Sequence, residues 1–213
     1  MADMKYLSVE EFTALTASDA PAPGGGSVSA LAAGLGAALA EMVANLTIGK
    51  EKYADADAEM RTLAQQAAAL RKELIDAIQK DTESFNGYMA ALKMPKETDE
   101  QKTARRDAMQ QGLKEAALVP LEVAKTTVKI FPVAKAVVQR GNPNAVTDGL
   151  VAAMLARSAA LGALLNVKIN LGSIKDEAFV AQLSAQVKQL EQQAITLEKQ
   201  VLDCSELTDT IFE

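Results

Sequence analysis

The strongest constraint on this chain is its alternation of long Ala- and Leu-rich stretches with short runs of glycine, proline and asparagine. Residues 17–26 (ASDAPAPGGG) and 141–144 (GNPN) cannot continue a helix, and each opens a long apolar segment. Alanine fills about a fifth of the positions, and no segment shows the period-two alternation of Val, Ile, Thr or Tyr that a half-buried strand requires. The expectation is an all-α protein. Its 213 residues amount to roughly 1.4 domains of ordinary size, and no composition shift or internal repeat marks a boundary. A single domain over residues 1–213, a multi-helix up-and-down bundle with short turns, follows.

Ser8 and Glu11 spell a capping box, which predicts a short first helix over residues 9–15. Ser27 is placed to cap a second helix that runs to about Ile48 and is closed by Gly49. From about Asp55 to Leu92, Leu63, Ala67, Leu70, Leu74, Ile78, Phe85 and Leu92 recur on one stripe, and Asp81 falls inside it. Met94-Pro95 ends that helix. The next is expected to reach Leu118, with Pro120 restarting the chain into residues 121–130 and a break at Pro132 before a continuation to Arg140. Residues 145–168 read as a central helix, apolar on all sides, and residues 176–202 as the last long helix. Gly34, Gly36, Ala37 and Ala38 on one helix, and the alanines and Gly162 between residues 152 and 163 on another, allow close helix approach in a core or at a subunit interface.

Composition narrows the chemistry. There is no histidine, which removes Ser-His-Asp triads, Cys-His dyads and His-ligated metals, so any proton must move through a carboxylate, Lys, Tyr or water. The single cysteine, Cys204, allows no internal disulfide, fits a cytosolic compartment and receives no role. A net charge of −6 with only 3 Tyr, 5 Phe and no Trp is poorly suited to nucleic acid. The opening MADMKYLSVEEF lacks the apolar core of a secretory signal, and the charge-free residues 27–40 are too short for a membrane span.

The turn Gly24-Gly25-Gly26-Ser27 leaves backbone N–H groups uncovered at a helix start and suits an anion, although its spacing is that of neither a P-loop nor a dinucleotide fingerprint; its structural alternative is a flexible turn with a Ser cap. Asp81, on an apolar seam, either holds a proton poised by desolvation or forms a structural ion pair, for example with Arg157. Asp148 opens a helix, where an acid meets the helix dipole, yet its face carries Val151, Leu155 and Gly162, which also suits a site acid. Asn45, Thr47, Asn142, Asn144, Asn166 and Asn170 mark the ends of apolar helices, where they either cap backbone groups or hydrogen-bond a polar heterocycle. Lys50 and Lys52 are solvated lysines or hold an anionic tail, and the stretch with Lys125 and Lys129 is locally basic.

These same residues lie in blocks that resemble the cyclodeaminase part of the formiminotransferase-cyclodeaminase family: PAPGGGSVSALAAGLGAALAEMVANLTIGKEKY (21–53), KDTESFNGYMAALKMP (80–95), VPLEVAK (119–125), GNPNAVTDGLVAA (141–153) and LLNVKIN (164–170). The blocks stand in the family's order, and the resemblance runs from Leu7 to the end. It implies an all-helical homodimer acting on one-carbon tetrahydrofolates without a metal or redox cofactor; composition separately argues against nucleic acid or a membrane as partner. Two reactions are implied: closure of 5-formiminotetrahydrofolate to 5,10-methenyltetrahydrofolate with loss of ammonia, which is the first choice, or hydrolysis of 5,10-methenyltetrahydrofolate to 10-formyltetrahydrofolate. A helical scaffold without folate binding is the non-enzyme alternative. Carried onto this sequence, the resemblance assigns proton handling to Asp81 and Asp148. It assigns substrate binding to Gly24, Gly25, Gly26, Ser27, Asn45, Thr47, Asn142, Asn166 and Asn170, and the reading of the residues adds Asn144, Lys50 and Lys52 to that set.

Overall fold

The computed structural model of the protein describes residues 3–210, which form seven α-helices and no strand. They are α1 (Val9–Thr16), α2 (Gly25–Asn45), α3 (Asp57–Leu92), α4 (Asp99–Val128), α5 (Ile130–Arg140), α6 (Val146–Leu171) and α7 (Glu177–Leu202). Helices α2, α3, α4 with α5, and α6 run alternately down and up, and α7 packs along α6. The expected bundle is observed.

Local chemistry sets most of the helix ends. Ser8 and Glu11 form the capping box that starts α1, with the Ser8 N–H donating to Glu11 Oε2 at 2.8 Å. Thr98 and Gln101 do the same for α4, and Asp176 caps α7 by accepting from the Phe179 N–H. Two expectations fail. Helix α2 begins at Gly25 with Gly24 as a cap that has no side chain, so Ser27 lies inside the first turn rather than before it. Helix α4 continues through Pro120 to Val128, and the chain breaks at Lys129 instead; Pro132 then sits in the first turn of α5, where a missing N–H costs nothing.

Pro120 is tolerated because its consequence is repaired from outside. A proline at position 120 cannot donate to the carbonyl of Ala116 four residues back. That oxygen accepts instead from Asn170 Nδ2 of α6 at 2.9 Å.

The core is dominated by small side chains with a few large ones, Phe131, Met60, Leu74, Ile78 and Leu164 among them. Small residues let α2 and α6 approach closely. A Cβ at Gly36 would lie 3.0 Å from the Ala152 carbonyl oxygen, and one at Gly162 would lie 2.6 Å from Ser29 Oγ. Beside that seam both helices carry an exposed apolar stripe: Val28, Leu35 and Met42 on α2 with Leu46 just past its end, and Val151, Leu165 and Ile169 on α6. Positions 28, 35 and 42, and 151, 165 and 169, recur at helical spacing and share one face of the molecule. Helix α2 and the stretch Pro143–Leu171 are, against the expectation from residues 27–40, long and apolar enough to cross a membrane by length and hydropathy; about half of each is buried against the bundle.

Candidate functional site

The up-down course of the chain sorts the candidate residues to two ends of the bundle. At one end, the start of α2, the far part of α3, the middle of α4 and the end of α6 enclose a cleft of about 310 Å³. Gly24, Gly25, Gly26, Asp81, Asn166 and Asn170 line it, together with Ser84, Phe85, Ala116 and Ile169. Ser27 stands directly behind. Asn45, Thr47, Lys50, Lys52, Asn142, Asn144 and Asp148 are at the other end, past the C-terminus of α2; twenty residues of rise at 1.5 Å put them about 30 Å away.

Asp81 is delivered to the cleft by α3 and tied to the start of α2. Ser27 Oγ donates to its Oδ2 at 2.8 Å, and the Ser27 backbone N–H also donates to the carboxyl. Because Gly24 has no side chain, Asp81 takes the place of a capping residue from a neighbouring helix. The approach is close enough to require glycine: a Cβ at Gly26 would fall 2.2 Å from Asp81 Oδ1. Burial holds the Asp81 carboxyl above the ordinary carboxylate value and outweighs the opposing bonds from Ser27. No lysine or arginine pairs with it among the described residues. Arg157, the partner that the sequence suggested, lies instead against the buried Glu198 of α7. Asp81 is the one ionisable residue lining the cleft.

The two asparagines of α6 are oriented by backbone carbonyls. Asn166 Nδ2 donates to Gly162 O at 2.9 Å. Asn170 Nδ2 donates to Asn166 O at 2.8 Å and to Ala116 O at 2.9 Å, the carbonyl released by Pro120. Gly25 faces Asn166, with Nδ2 3.1 Å from where its Cβ would be.

The far cluster is engaged with itself. Buried Thr47 donates to Val43 O and accepts from the Asn142 N–H at 2.8 Å. Asn142 Oδ1 accepts from Tyr53 Oη and from the Asn144 N–H, so it shapes the turn before α6. Lys50 is exposed and Lys52 lies over the Tyr53 ring, 5.4 Å from its centre. Asp148 lies on α6 eighteen residues before Asn166, about 27 Å along the axis. Within one chain the two aspartates therefore do not meet on one substrate atom. Lys125 is paired with Glu122 at 2.8 Å, and it and Lys129 lie outside the cleft. Among the described residues no three His, Cys, Asp or Glu side chains group to hold a metal ion.

Sequence reasoning missed Ser84, Phe85, Ala116 and Ile169. Ser84 and Phe85 follow Asp81 by three and four positions and so share its helix face, a signal present in the sequence. The Ala116 contribution follows from Pro120 four residues later, which requires knowing that the helix does not stop there.

The arrangement matches known proteins over nearly its whole length. The profile of the formiminotransferase-cyclodeaminase family matches residues 8–189. The chain belongs to this family. It is 36% identical over 196 residues to the methenyltetrahydrofolate cyclohydrolase of Methylorubrum extorquens, covering 92% of this chain and 94% of that protein. It is 38% identical over 198 residues to the formimidoyltransferase-cyclodeaminase of Sus scrofa, covering 93% of this chain but only 37% of that longer protein. The crystal structure of formiminotetrahydrofolate cyclodeaminase from Thermotoga maritima superposes with a TM-score of 0.84 at 32% identity, over 94% of this chain and 96% of that one. The protein is thus an enzyme of the cyclodeaminase and cyclohydrolase family of one-carbon folate chemistry.

Proposed function

We propose that the protein closes 5-formiminotetrahydrofolate to 5,10-methenyltetrahydrofolate and releases ammonia, with Asp81 moving the proton. The observation that carries this reading is a lone carboxyl in the cleft whose affinity for a proton is raised by burial. In this reaction N10 attacks the carbon of the formimino group, which enters protonated as the amidinium –CH=NH2+, and gives up its hydrogen. The resulting tetrahedral carbon, bonded to N5, N10 and the amino group, then expels the amine as ammonia. One proton leaves N10 and one arrives on the departing nitrogen, so a single carboxyl that accepts and then returns it suffices. The full-length likeness to a cyclodeaminase structure supports this choice.

Hydrolysis of 5,10-methenyltetrahydrofolate to 10-formyltetrahydrofolate is the second reading, favoured by the match to a cyclohydrolase along 94% of its length. There the carboxyl takes one proton from the attacking water and delivers it to N5 as the carbon–N5 bond breaks, and the second proton, from the hydroxyl on the tetrahedral carbon, leaves to solvent as the formyl C=O forms. Incubation with each folate, following the methenyl absorbance band and free ammonia against the spontaneous rates, separates the two. Band formation with stoichiometric ammonia is expected; accelerated loss of the band without ammonia makes the enzyme a cyclohydrolase.

The reading includes a homodimer, formed by a second copy packing on the apolar face of α2 and α6. Six large apolar side chains on two adjacent helices, with Leu46 just past the end of one, are exposed there, whereas exposed apolar residues elsewhere among the described residues are scattered. A face of this kind meets its own copy across a two-fold axis.

A further inference from the structure

Behind the cleft, a chain of buried hydroxyls links the N-terminal turn to Asp81. Ser27, Thr82 and Met4 are all buried, so each must find its partners within the protein. Ser27 Oγ lies 2.8 Å from Asp81 Oδ2 and 3.4 Å from Thr82 Oγ1, which in turn lies 3.3 Å from Met4 Sδ. A hydroxyl has one hydrogen to give, and a thioether sulfur only accepts. The Thr82 hydrogen therefore has two acceptors at nearly equal distance, Ser27 Oγ and Met4 Sδ. The sulfur is fixed in place by the 3-10 turn Met4–Tyr6, where the Met4 N–H donates to Gln79 Oε1 at 3.1 Å and Lys5 Nζ to Asp76 Oδ1 at 2.8 Å.

We infer that Thr82 is a positioning residue for proton transfer at Asp81, its hydroxyl turning between Ser27 Oγ and Met4 Sδ as the carboxyl loses and regains its proton. The inference rests on the reading of Asp81 as the proton carrier and adds what sustains both of its states. With Asp81 ionised the chain runs inward: Thr82 donates to Ser27, and Ser27, polarised by that bond, donates to the carboxylate. With Asp81 protonated it runs outward, from the carboxyl O–H to Ser27, from Ser27 to Thr82 and from Thr82 to the sulfur. A weak acceptor at the end suits this use, because the hydroxyl leaves it at little cost. Charged groups on the surrounding elements are engaged elsewhere. Residues 24–31 at the start of α2 carry none. Lys80 lies in a separate groove between α3 and α4, Lys114 of α4 pairs with Asp176 and Lys168 of α6 with Glu191. Glu83 and Glu115 accept from Gln79 and Gln111 on their own helices.

The test compares Thr82→Val, Thr82→Ser and Met4→Leu with the parent in the full chain, all of them close in volume to the residue replaced. The Asp81 carboxyl is titrated directly by carbon NMR, and kcat and KM are measured with whichever of the two folates the protein turns over. Thr82→Val removes the inward donor, while Ile78 O, 3.3 Å from Ser27 Oγ, still takes the Ser27 hydrogen in the protonated state, so the carboxyl is expected to titrate at higher pH. Met4→Leu removes the outward acceptor alone, so the titration is expected to move the opposite way, to lower pH. In both variants kcat is expected to fall by about two- to tenfold, the worth of one hydrogen bond, with KM unchanged because neither residue lines the cleft. Thr82→Ser is expected to restore the parent rate and titration. A titration that stays put in Thr82→Val, shifts of one sign in Thr82→Val and Met4→Leu, or parent kcat in both overturns the inference. If Asp81→Asn is inactive while Thr82→Val matches the parent, the proposed function stands and this role alone is lost. If Asp81→Asn keeps the parent rate, the proton-carrier reading fails and takes the inference with it.

Discussion

Asp81 is placed where its charge is costly, and that cost ties its proposed role in proton transfer to stability. Its affinity for a proton is higher in the folded protein than in the unfolded chain, where the value is near 3.8. The folded state therefore gains from this group below that value, and the gain is lost as pH rises through the elevated folded value. Asp81→Asn removes the ionisation. At neutral pH the variant is expected to melt at a higher temperature than the parent, with the difference shrinking as pH falls towards the unfolded value. Turnover is expected to drop by about 10²–10⁴, the usual contribution of a positioned acid–base group. Melting curves across pH and steady-state rates check both halves, and near-full activity in the variant would exclude Asp81 from proton transfer. Such opposition of stability and activity is typical of groups retained for function. Gly26 belongs to the same unit, since no other side chain leaves room for the carboxyl.

Helices meet in this protein through exceptions to helix rules, and each exception serves the cleft. Helix α2 starts on a residue with no capping side chain, and Asp81 of α3 fills the gap. Helix α4 contains a proline, and Asn170 of α6 binds the carbonyl that the proline leaves free. Replacing Pro120 by alanine restores an N–H that competes for Ala116 O. The expected result is an unchanged helical spectrum and an equal or higher melting temperature, because alanine is the better helix former, with a raised KM as Asn170 loses its anchor. An unchanged KM would show that the Asn166 carbonyl alone orients Asn170. The close seam of α2 and α6 depends on Gly36 and Gly162 in the same way, with backbone or Ser29 against the space that a side chain would take.

For the whole molecule, the uncovered stripe on α2 and α6 is the feature that a lone bundle does not explain. Leu35→Glu and Leu165→Glu place a charge in the middle and towards one end of that face, at residues that do not line the cleft. Both variants are expected to keep the fold and to sediment as monomers, against a dimer for the parent. A parent that sediments as a monomer would refute the proposed pairing. Ile169 belongs to both the stripe and the cleft wall, so the two features adjoin. Loss of the dimer is therefore expected to raise KM as well.

Much of this architecture was legible in the sequence, because helix periodicity, capping boxes and Gly/Pro turns are local. Helix α1 spans Val9–Thr16, α3 spans Asp57–Leu92 and α7 spans Glu177–Leu202, each within two residues of the sequence expectation. The placement of Asp81 on a buried seam was legible too. Its partner was not: Ser27, fifty-four positions away, and not Arg157, meets it. Continuity through Pro120 was illegible for the same reason, since the bond that makes it tolerable comes from a residue fifty positions later. The separation of the candidates into two ends about 30 Å apart also required the packed bundle. Spacing along a helix reports which residues share a face, whereas which end of which neighbour they meet depends on the course of the whole chain. Local hydrogen bonding and apolar periodicity set the elements; long-range contacts select which of their polar ends become a site.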